Sequence, residues 1–191
     1  MRSDAERNYA RILSAAKTIV AKQGAQASLR DVARRAEVGM GTLYRHFPTR
    51  EALLETLLRD RFEALAAKAA ALESARDPFA ALAEWLREFL SWTPFRGLAS
   101  ALMATLSDQE SALHASCHAM RQAVGRLLAR AQESGQVRPE VDSLDLFALV
   151  NAVGWVSEQA PDLAARQERL LGFVLDGLAS QQDDADSREC R

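Results

Sequence analysis

The fold of this chain is most constrained by residues 28–47, which read SLRDVARRAEVGMGTLYRHF. Ser28 is a favourable helix cap, and the acidic residue three positions later can return a hydrogen bond to it in a capping box. The helical pattern is interrupted at Gly39, and a short second helix is expected over about residues 40–46. That helix must end before Pro48, because a proline disfavours helical backbone at the residue before it. Two short helices joined by a tight turn indicate a helix-turn-helix.

The remainder of the sequence predicts an all-α protein of about nine helices. Leu and Ala dominate, and no segment alternates polar and apolar residues with the period of two that is typical of a strand. An N-terminal three-helix unit containing the helix-turn-helix is therefore expected to precede a larger helical domain. Besides the two helices of residues 28–47, the predicted helices cover about residues 4–23, 50–72, 78–92, 95–106, 108–134, 143–158 and 161–179.

The charge of the chain is distributed unevenly. Residues 1–60 hold 11 basic and 7 acidic residues and carry +4, whereas the rest holds 13 basic and 19 acidic residues and carries −6. A basic N-terminal part followed by an acidic remainder favours a polyanionic partner for residues 1–60 alone. Charge by itself does not separate this interpretation from a chance imbalance.

Several classes of protein are disfavoured by what the sequence lacks. Cys117 and Cys190 cannot form a disulfide framework, the first residues do not resemble a signal peptide, and no apolar run reaches the roughly 18 residues of a membrane span. We therefore expect a cytoplasmic protein that does not contact a membrane. No Ser/His/Asp spacing, Gly-rich phosphate loop or acidic metal cluster supports catalysis, so neither an enzyme nor a bound cofactor is expected.

The helix over residues 40–46 carries side chains that suit a DNA groove. Met40 can touch a thymine methyl group, and Thr42 and Tyr44 can donate hydrogen bonds to phosphates or base edges. Arg45 can bind a guanine bidentately or contact a phosphate, and His46 can donate to a phosphate. This concentration of hydroxyl, aromatic, basic and imidazole groups favours direct contact with duplex DNA.

Residues beside this helix have separate expected roles. Leu43 and Phe47 are expected to belong to the core. Arg50 opens the next helix, where free backbone amides already favour an anion, and Arg30 and Arg34 could reach the flanking DNA backbone.

Residues 15–54, with VARRAEVGMGTLYRHFPTREALL at their centre, resemble the DNA-binding domain of the TetR family of bacterial repressors. The family pattern is a small turn, then G-T-[LI]-Y-x-H-F, then two residues, a Lys or Arg, and Glu. This chain matches it at Gly41, Thr42, Leu43, Tyr44, His46, Phe47, Arg50 and Glu51. It departs from the pattern at Glu37, where glycine is usual, and at Gly39, where a serine often caps the helix.

The resemblance implies a division of the chain and a set of DNA contacts. Residues 1–50 would form a helix-turn-helix DNA-binding domain, residues 51–180 a helical ligand-binding and dimerisation domain, and residues 181–191 a disordered tail. The DNA contacts that it implies are Ser28, Arg30, Met40, Gly41, Thr42, Tyr44, Arg45 and His46, with Arg50 as a phosphate clamp.

The resemblance also implies a homodimeric repressor that binds a near-palindromic DNA operator and is released by a small-molecule ligand. Two DNA-binding domains related by a two-fold axis would reach matching major grooves roughly 34 Å apart. The late apolar helices are expected to supply the dimer interface, through Phe147, Val150, Gly154, Trp155, Leu170, Leu171, Val174 and Leu178. The alternative is that these residues pack inside one subunit, as some of them must.

An effector pocket is expected among the aromatic residues of the middle helices. Its apolar lining would come from Trp85, Phe89, Trp92, Met103, Met120 and Trp155, and groups able to orient a ligand are His114, Cys117, His118 and Arg121. Such a lining would suit an aromatic or otherwise apolar effector, whose identity the sequence does not give. The alternative is a fully packed core.

Three further interpretations stay open at the level of sequence. His114, Cys117 and His118 share one helical face, but three possible ligands on a single helix are a weak indication of a metal site, and none is assigned. The chain could also be a DNA-binding regulator that needs no ligand. A helical small-molecule carrier or enzyme is the alternative from a different class.

Overall fold

The computed structural model describes residues 2–91 and 107–180. The predicted helix over residues 95–106, the pocket residues Trp92 and Met103, and the tail of residues 181–191 lie outside the described residues. The all-α prediction is confirmed, and the described part of the chain contains nine α-helices. They are α1 (Arg2–Gln23), α2 (Leu29–Ala36), α3 (Met40–His46), α4 (Arg50–Leu72), α5 (Pro78–Leu90), α6 (Ala112–Glu133), α7 (Ser143–Gln159), α8 (Pro161–Ala164) and α9 (Gln167–Leu178).

Glycines with a positive φ follow the C-terminal ends of two helices. Gly24 follows α1 with φ of +62°, and Gly135 lies two residues beyond α6 with φ of +73°. Both backbones are left-handed, a conformation that glycine adopts without the steric cost of a Cβ atom.

The prediction of one continuous helix over residues 161–179 is wrong. The chain there forms α8 and α9, because the backbone N–H of Arg166 donates to Leu163 O at 2.9 Å and tightens the turn. Gln167, the first residue of α9, then donates through its side chain to Leu90 O at 3.1 Å, at the end of α5. This bond fixes the start of α9 against α5.

The capping box predicted at Ser28 forms only in part. Ser28 Oγ accepts from the backbone N–H of Asp31 at 3.4 Å, but the Asp31 carboxylate does not accept the return bond from the Ser28 N–H. Gln23 replaces that return bond, since its Oε1 accepts from the Ser28 N–H at 2.9 Å and its Nε2 donates to Asp31 Oδ2 at 3.0 Å. The last residue of α1 therefore holds the start of α2.

The described residues form two compact units, one of residues 2–67 and 107–120 and the other of residues 68–91 and 121–180. In the first unit α1 packs against α2, and α2 contacts α3. Its core includes the fully buried side chains of Ile12, Val32 and Leu43. This core holds the two helices of the helix-turn-helix against α1.

In the second unit α5, α7 and α9 contact one another. Its buried side chains include Trp85, Leu86, Val150 and Leu171. None of the helices in residues 2–91 and 107–180 combines the length and the apolar character that a membrane span requires.

A polar cluster at the start of α5 joins three segments of the second unit. Asp77 caps α5 by accepting from the backbone N–H of Ala80 at 3.0 Å, and it accepts a second bond from Gln136 Nε2 at 3.2 Å. Gln136 Oε1 accepts from the Phe79 N–H at 3.2 Å, and Gln136 O accepts from the Ser180 N–H at 3.0 Å. The backbone bond from Ala80, followed by the bond from Gln136, lowers the pKa of Asp77 below its usual value of 3.8.

Candidate nucleic-acid interface

Helix α3 has one buried and one exposed face, as a helix that reads DNA must. Leu43 is fully buried and Phe47, just after the helix, is 2% exposed, so the prediction that both are core residues is confirmed. Tyr44 is 48% exposed and Arg45 is also exposed. The remaining sequence-predicted contacts of this helix are exposed at Gly41 and half-buried at Met40, Thr42 and His46.

The start of α3 departs from the usual capped helix. Gly39 occupies the cap position with extended backbone, φ −70° and ψ 151°, and supplies no side-chain cap. Its carbonyl accepts from the N–H groups of Thr42 at 2.9 Å and Leu43 at 3.1 Å. Because Gly costs only a few tenths of a kcal/mol relative to Ser at this position, the helix tolerates the departure.

The guanidinium of Arg45 lies back along its own helix. Its Nε donates to Gly41 O at 3.2 Å, and its Nη2 donates to Thr42 Oγ1 at 3.1 Å. Both bonds run to the first turn of α3, so the positive charge is held beside the N-terminal part of the helix and not beyond its C-terminal end.

Tyr9 of α1 supports the end of α3. Its ring stacks on Phe47 with centroids 5.2 Å apart and an angle of 23° between the planes. The ring of His46 meets Tyr9 edge-on at 6.0 Å. Sequence analysis did not single out Tyr9, although it lies at the start of the apolar stripe of α1; its 36% exposure places it at the edge of the core. Tyr9 thus restricts the orientation of His46.

The sequence-predicted contacts on α2 lie at its start. Ser28 caps the helix and is half-buried, whereas Arg30, two residues later, is exposed. Arg34, on the same helix, pairs with Asp31 at 2.8 Å while its own side chain stays 82% exposed. The structure therefore leaves both arginines accessible to solvent.

Arg50 begins α4, directly after the cap that Thr49 provides by accepting from the Ala52 N–H at 3.0 Å. Arg50 Nη1 donates to Gln26 Oε1 at 3.2 Å. The Nε atom of Arg50 is buried and has no hydrogen-bond partner among the described residues. The guanidinium is thus held at a helix start, where free backbone amides also favour an anion, but its buried Nε does not reach a phosphate without a change of side-chain conformation.

The turn between α2 and α3 contains a strained residue. Glu37 has φ of +53° and ψ of 43°, the left-handed conformation for which glycine is usual. Its carboxylate pairs with Arg11 of α1, with Oε2 and Nη2 2.7 Å apart. Sequence analysis noted that glycine is usual here, but it could not foresee a partner 26 residues away.

The residues predicted to line an effector pocket are distributed over both units. Trp85 and Phe89 belong to the second unit, where their rings stack 5.5 Å apart, and Phe89 also contacts the ring of Phe147 at 5.2 Å. A small apolar gap lies beside them, lined by Trp85, Leu86, Phe89, Val124, Ser143, Leu146, Phe147 and Val150. The volume that the centre of a water molecule can occupy in this gap is about 10 Å³. Pockets that bind drug-sized ligands measure about 300 Å³ or more.

The other described pocket candidates do not line this gap. Trp155 is 61% exposed. Arg121 belongs to the second unit and is half-buried, and the remaining candidates belong to the first unit, namely His114, Cys117, His118 and Met120. The rings of His114 and His118 lie parallel, 6.5 Å apart. Within residues 2–91 and 107–180, no three His, Cys, Asp or Glu side chains are placed to hold a metal ion.

The predicted dimer residues divide between the core and the surface of the second unit. The buried ones are Val150, Gly154, Leu171 and Leu178, the half-buried ones are Phe147, Leu170 and Val174, and the exposed one is Trp155. Three exposed apolar side chains on α7 and α9 were not predicted as interface residues, namely Leu144 at 62%, Leu149 at 43% and Phe173 at 59%. Phe173 is covered on one side by the guanidinium of Arg169, 5.5 Å from its ring.

Comparison with known proteins covers most of the chain. Residues 12–57 match the family model described as bacterial regulatory proteins, tetR family, and residues 77–180 match the model for the C-terminal domain of SbtR-like transcriptional regulators. The transcriptional repressor KstR of Mycolicibacterium smegmatis is 48% identical over 59 residues, which are 30% of this chain and 29% of KstR. The match therefore spans less than a third of that repressor.

Two solved structures match nearly the whole chain. The TetR transcriptional regulator SCO0520 from Streptomyces coelicolor is 36% identical, with 91% of this chain and 99% of that chain covered and a TM-score of 0.71. A TetR transcription regulatory protein from Mycobacterium vanbaalenii is 35% identical, with 93% and 98% covered and a TM-score of 0.67.

Proposed function

The chain belongs to the TetR family of DNA-binding transcriptional regulators, and from that premise we propose that it is a homodimeric repressor, released from a near-palindromic operator by a small molecule. Regulation of transcription by DNA binding is the function of the family, which is not one of enzymes. The operator, the dimer and the ligand are the parts proposed for this chain.

The observation that carries the DNA-binding proposal is the exposed face of α3. Leu43 anchors this helix in the core, so Tyr44 and Arg45 project from a fixed support. A short helix with polar and basic groups on its free side can enter a major groove roughly 12 Å wide. Arg30 and Arg50 flank it as phosphate contacts, which would fix the register of the helix on the duplex.

The proposed dimer rests on the exposed apolar side chains of α7 and α9. Trp155 of α7 and Phe173 of α9 are each more than half exposed, and the half-buried Leu170 and Val174 also belong to α9. Exposed apolar side chains that lie together in a patch, unlike single ones, commonly mark a surface that a partner covers. A two-fold pairing of α7 and α9 would bury them, and it would present two copies of α3 to one duplex.

The proposed effector site includes the gap beside Trp85 and Phe89. Its apolar, aromatic lining favours an apolar or aromatic ligand. Since about 10 Å³ suffices for one water molecule only, the ligand must select a conformation in which the gap is wider. A ligand with higher affinity for that conformation would shift the population toward it. A tilt of α4 would then misalign the two DNA-binding domains of the dimer.

The tightness of the same gap also favours a second candidate, a regulator that binds DNA without a ligand. Titration with apolar and aromatic compounds distinguishes the two candidates. If the repressor is ligand-responsive, a compound that binds the chain should lower its operator affinity at least several-fold. If every compound that binds leaves operator affinity unchanged, the ligand-independent regulator is the correct candidate.

The DNA-binding proposal is tested with Tyr44→Ala and Arg45→Ala in the full chain. The probe is a duplex that the unaltered protein selects from a pool of randomised sequences, and binding is followed by fluorescence anisotropy. Both substitutions should weaken binding strongly, while leaving it measurable, and the circular dichroism spectrum should stay helical. Arg76→Ala, at an exposed arginine between α4 and α5, serves as the control for loss of charge alone. If both test variants bind the duplex as tightly as the unaltered protein does, the proposal that α3 binds DNA is wrong.

A further inference from the structure

We propose that Thr42 is a positioning residue, whose hydroxyl aims the Arg45 guanidinium at a guanine in the major groove. This inference rests on the proposed DNA binding and deepens it, because it names the base that the arginine reads and the residue that prepares the arginine to read it. The alternative is that Thr42 and Arg45 contact phosphates independently of each other.

The guanidinium of Arg45 is bonded along one of its two donor edges. An arginine has five N–H donors in a planar group, and two of its edges each present a parallel pair of donors. One edge is formed by Nε and Nη2, and the other by Nη1 and Nη2. In Arg45 the Nε/Nη2 edge is bonded to Gly41 O at 3.2 Å and to Thr42 Oγ1 at 3.1 Å.

The Nη1/Nη2 edge of Arg45 remains free of hydrogen bonds to other described residues through Nη1. The side chain is also exposed. The Nη1/Nη2 edge is therefore available as a two-donor fork. Such a fork matches the O6 and N7 acceptors that guanine presents in the major groove.

The position of the guanidinium favours a base over a phosphate. In a helix-turn-helix the N-terminal residues of the recognition helix contact base edges. Arg45 lies near the C-terminal end of α3, but its two bonds carry the guanidinium back to Gly41 and Thr42, in the first turn. The fork therefore starts from the part of the helix that approaches the bases.

Gly41 provides a second, independent observation at the same place. A Cβ atom built on Gly41 would meet no atom within 4 Å, so the fold of the chain does not require a glycine there. An absent side chain beside the guanidinium instead leaves room for a base edge. Prior fixation of Arg45 also reduces the rotamer entropy that it must lose on binding.

The test compares Thr42→Val with Thr42→Ser in the full chain. Valine keeps the shape of threonine but lacks the hydroxyl acceptor, whereas serine keeps the acceptor. The probe is again the duplex selected by the unaltered protein from the randomised pool. Each guanine is replaced in turn by 7-deazaguanine, which pairs normally but lacks the N7 acceptor.

We expect one guanine in each half-site at which 7-deazaguanine weakens binding several-fold for the unaltered protein and for Thr42→Ser. The same replacement should have no effect on Arg45→Ala. Discrimination against the other base pairs at this position, roughly 5- to 150-fold for a good bidentate contact, should collapse in Thr42→Val. Thermal denaturation of each variant separates this change from a loss of folded protein.

Two results would overturn the inference while the proposed DNA binding stands. In the first, Thr42→Val discriminates at that guanine as well as the unaltered protein does, so threonine does not position the arginine. In the second, no guanine depends on Arg45, and Arg45→Ala only lowers the salt dependence of binding, as expected of a phosphate contact. If no duplex is selected at all, the proposed function fails first, and the inference fails with it.

Discussion

Glu37 and Arg11 form an ion pair, with Oε2 and Nη2 2.7 Å apart, at the one described non-glycine residue that has a positive φ. The pair joins α1 to the turn of the helix-turn-helix, where the backbone is left-handed. A left-handed conformation costs a non-glycine residue roughly 1–2 kcal/mol, whereas an exposed ion pair contributes about 0.2–1 kcal/mol. The ion pair therefore offsets only part of the backbone cost.

We expect Glu37→Gly to be more stable than Glu37→Ala by about 1 kcal/mol, because both lose the ion pair and only glycine relieves the backbone. The measurement is the free energy of unfolding from urea titration at neutral pH. Arg11→Ala should destabilise the protein as much as Glu37→Ala does, and the double substitution should add nothing. Equal stabilities for Glu37→Gly and Glu37→Ala would show that the turn is not strained.

Gly41→Ala should separate stability from DNA binding. The new Cβ meets no protein atom within 4 Å, and alanine in a helix is favoured over glycine by about 0.5–1 kcal/mol. The variant should therefore unfold at a higher urea concentration and yet bind the selected duplex less tightly, because the methyl group occupies the approach of the DNA. Gly125→Ala in α6 is the matched control, since its Cβ would lie 4.0 Å from the nearest atom and its position is remote from α3 in sequence. If Gly41→Ala keeps full affinity, no DNA atom approaches this position.

Asp77 should make the stability of the protein depend on pH in the acid range. Its hydrogen bonds from Ala80 and Gln136 lower its pKa below 3.8 in the folded chain. A carboxyl group with a depressed folded pKa contributes stability above its unfolded pKa and loses that contribution as the pH falls through its folded pKa. An asparagine in its place would keep the helix cap but not titrate, so the stability difference between the unaltered protein and Asp77→Asn should shrink between about pH 5 and the lowest pH at which the protein folds. Urea titrations across that range measure the difference in the free energy of unfolding. A difference that does not change with pH would contradict a lowered pKa of Asp77 in the folded chain.

Two exposed apolar residues of α7 distinguish an interface from an ordinary surface. Trp155 is 61% exposed and Leu144 is 62% exposed, but only Trp155 belongs to the predicted dimer interface. Trp155→Ser should weaken self-association in sedimentation equilibrium, because the dimer would lose a large aromatic contact, while Leu144→Ser should leave it unchanged. A dimer that is equally strong in both variants, or absent from the unaltered protein, would contradict the proposed interface.

Local signals in the sequence predict the helix-turn-helix well. The bounds of α3 follow from Gly39 and Pro48, and the burial of Leu43 and Phe47 follows from their spacing. These features depend on residues within a few positions of one another, where backbone sterics and helix periodicity decide the structure.

The contacts that complete the candidate interface depend on distant parts of the chain. The stacking of Tyr9 on Phe47 and the pairing of Arg11 with Glu37 form only after α1 has packed against α2. No periodicity in the sequence specifies which side chains of two helices will meet. The same limit explains why Gln23, and not Asp31, completes the cap at Ser28.

The interior of the second unit shows a related limit. Helix α7 is apolar on several sides, so its sequence does not reveal which side faces the core. Val150 is 1% exposed and Trp155 is 61% exposed, although both were expected at the same interface. The size of the gap beside Phe89 depends on how side chains from three helices interlock, which sequence spacing does not determine.

The most direct measurement of the central claim is the number of chains bound per selected duplex, together with the bases that they protect. If the protein binds as a dimer, we expect two chains on one duplex and protection of two inverted half-sites separated by about one helical turn, roughly 34 Å. The affinity should also fall steeply and linearly with the logarithm of salt concentration. One chain per duplex, or no preference for the selected duplex over a scrambled one, would contradict the account.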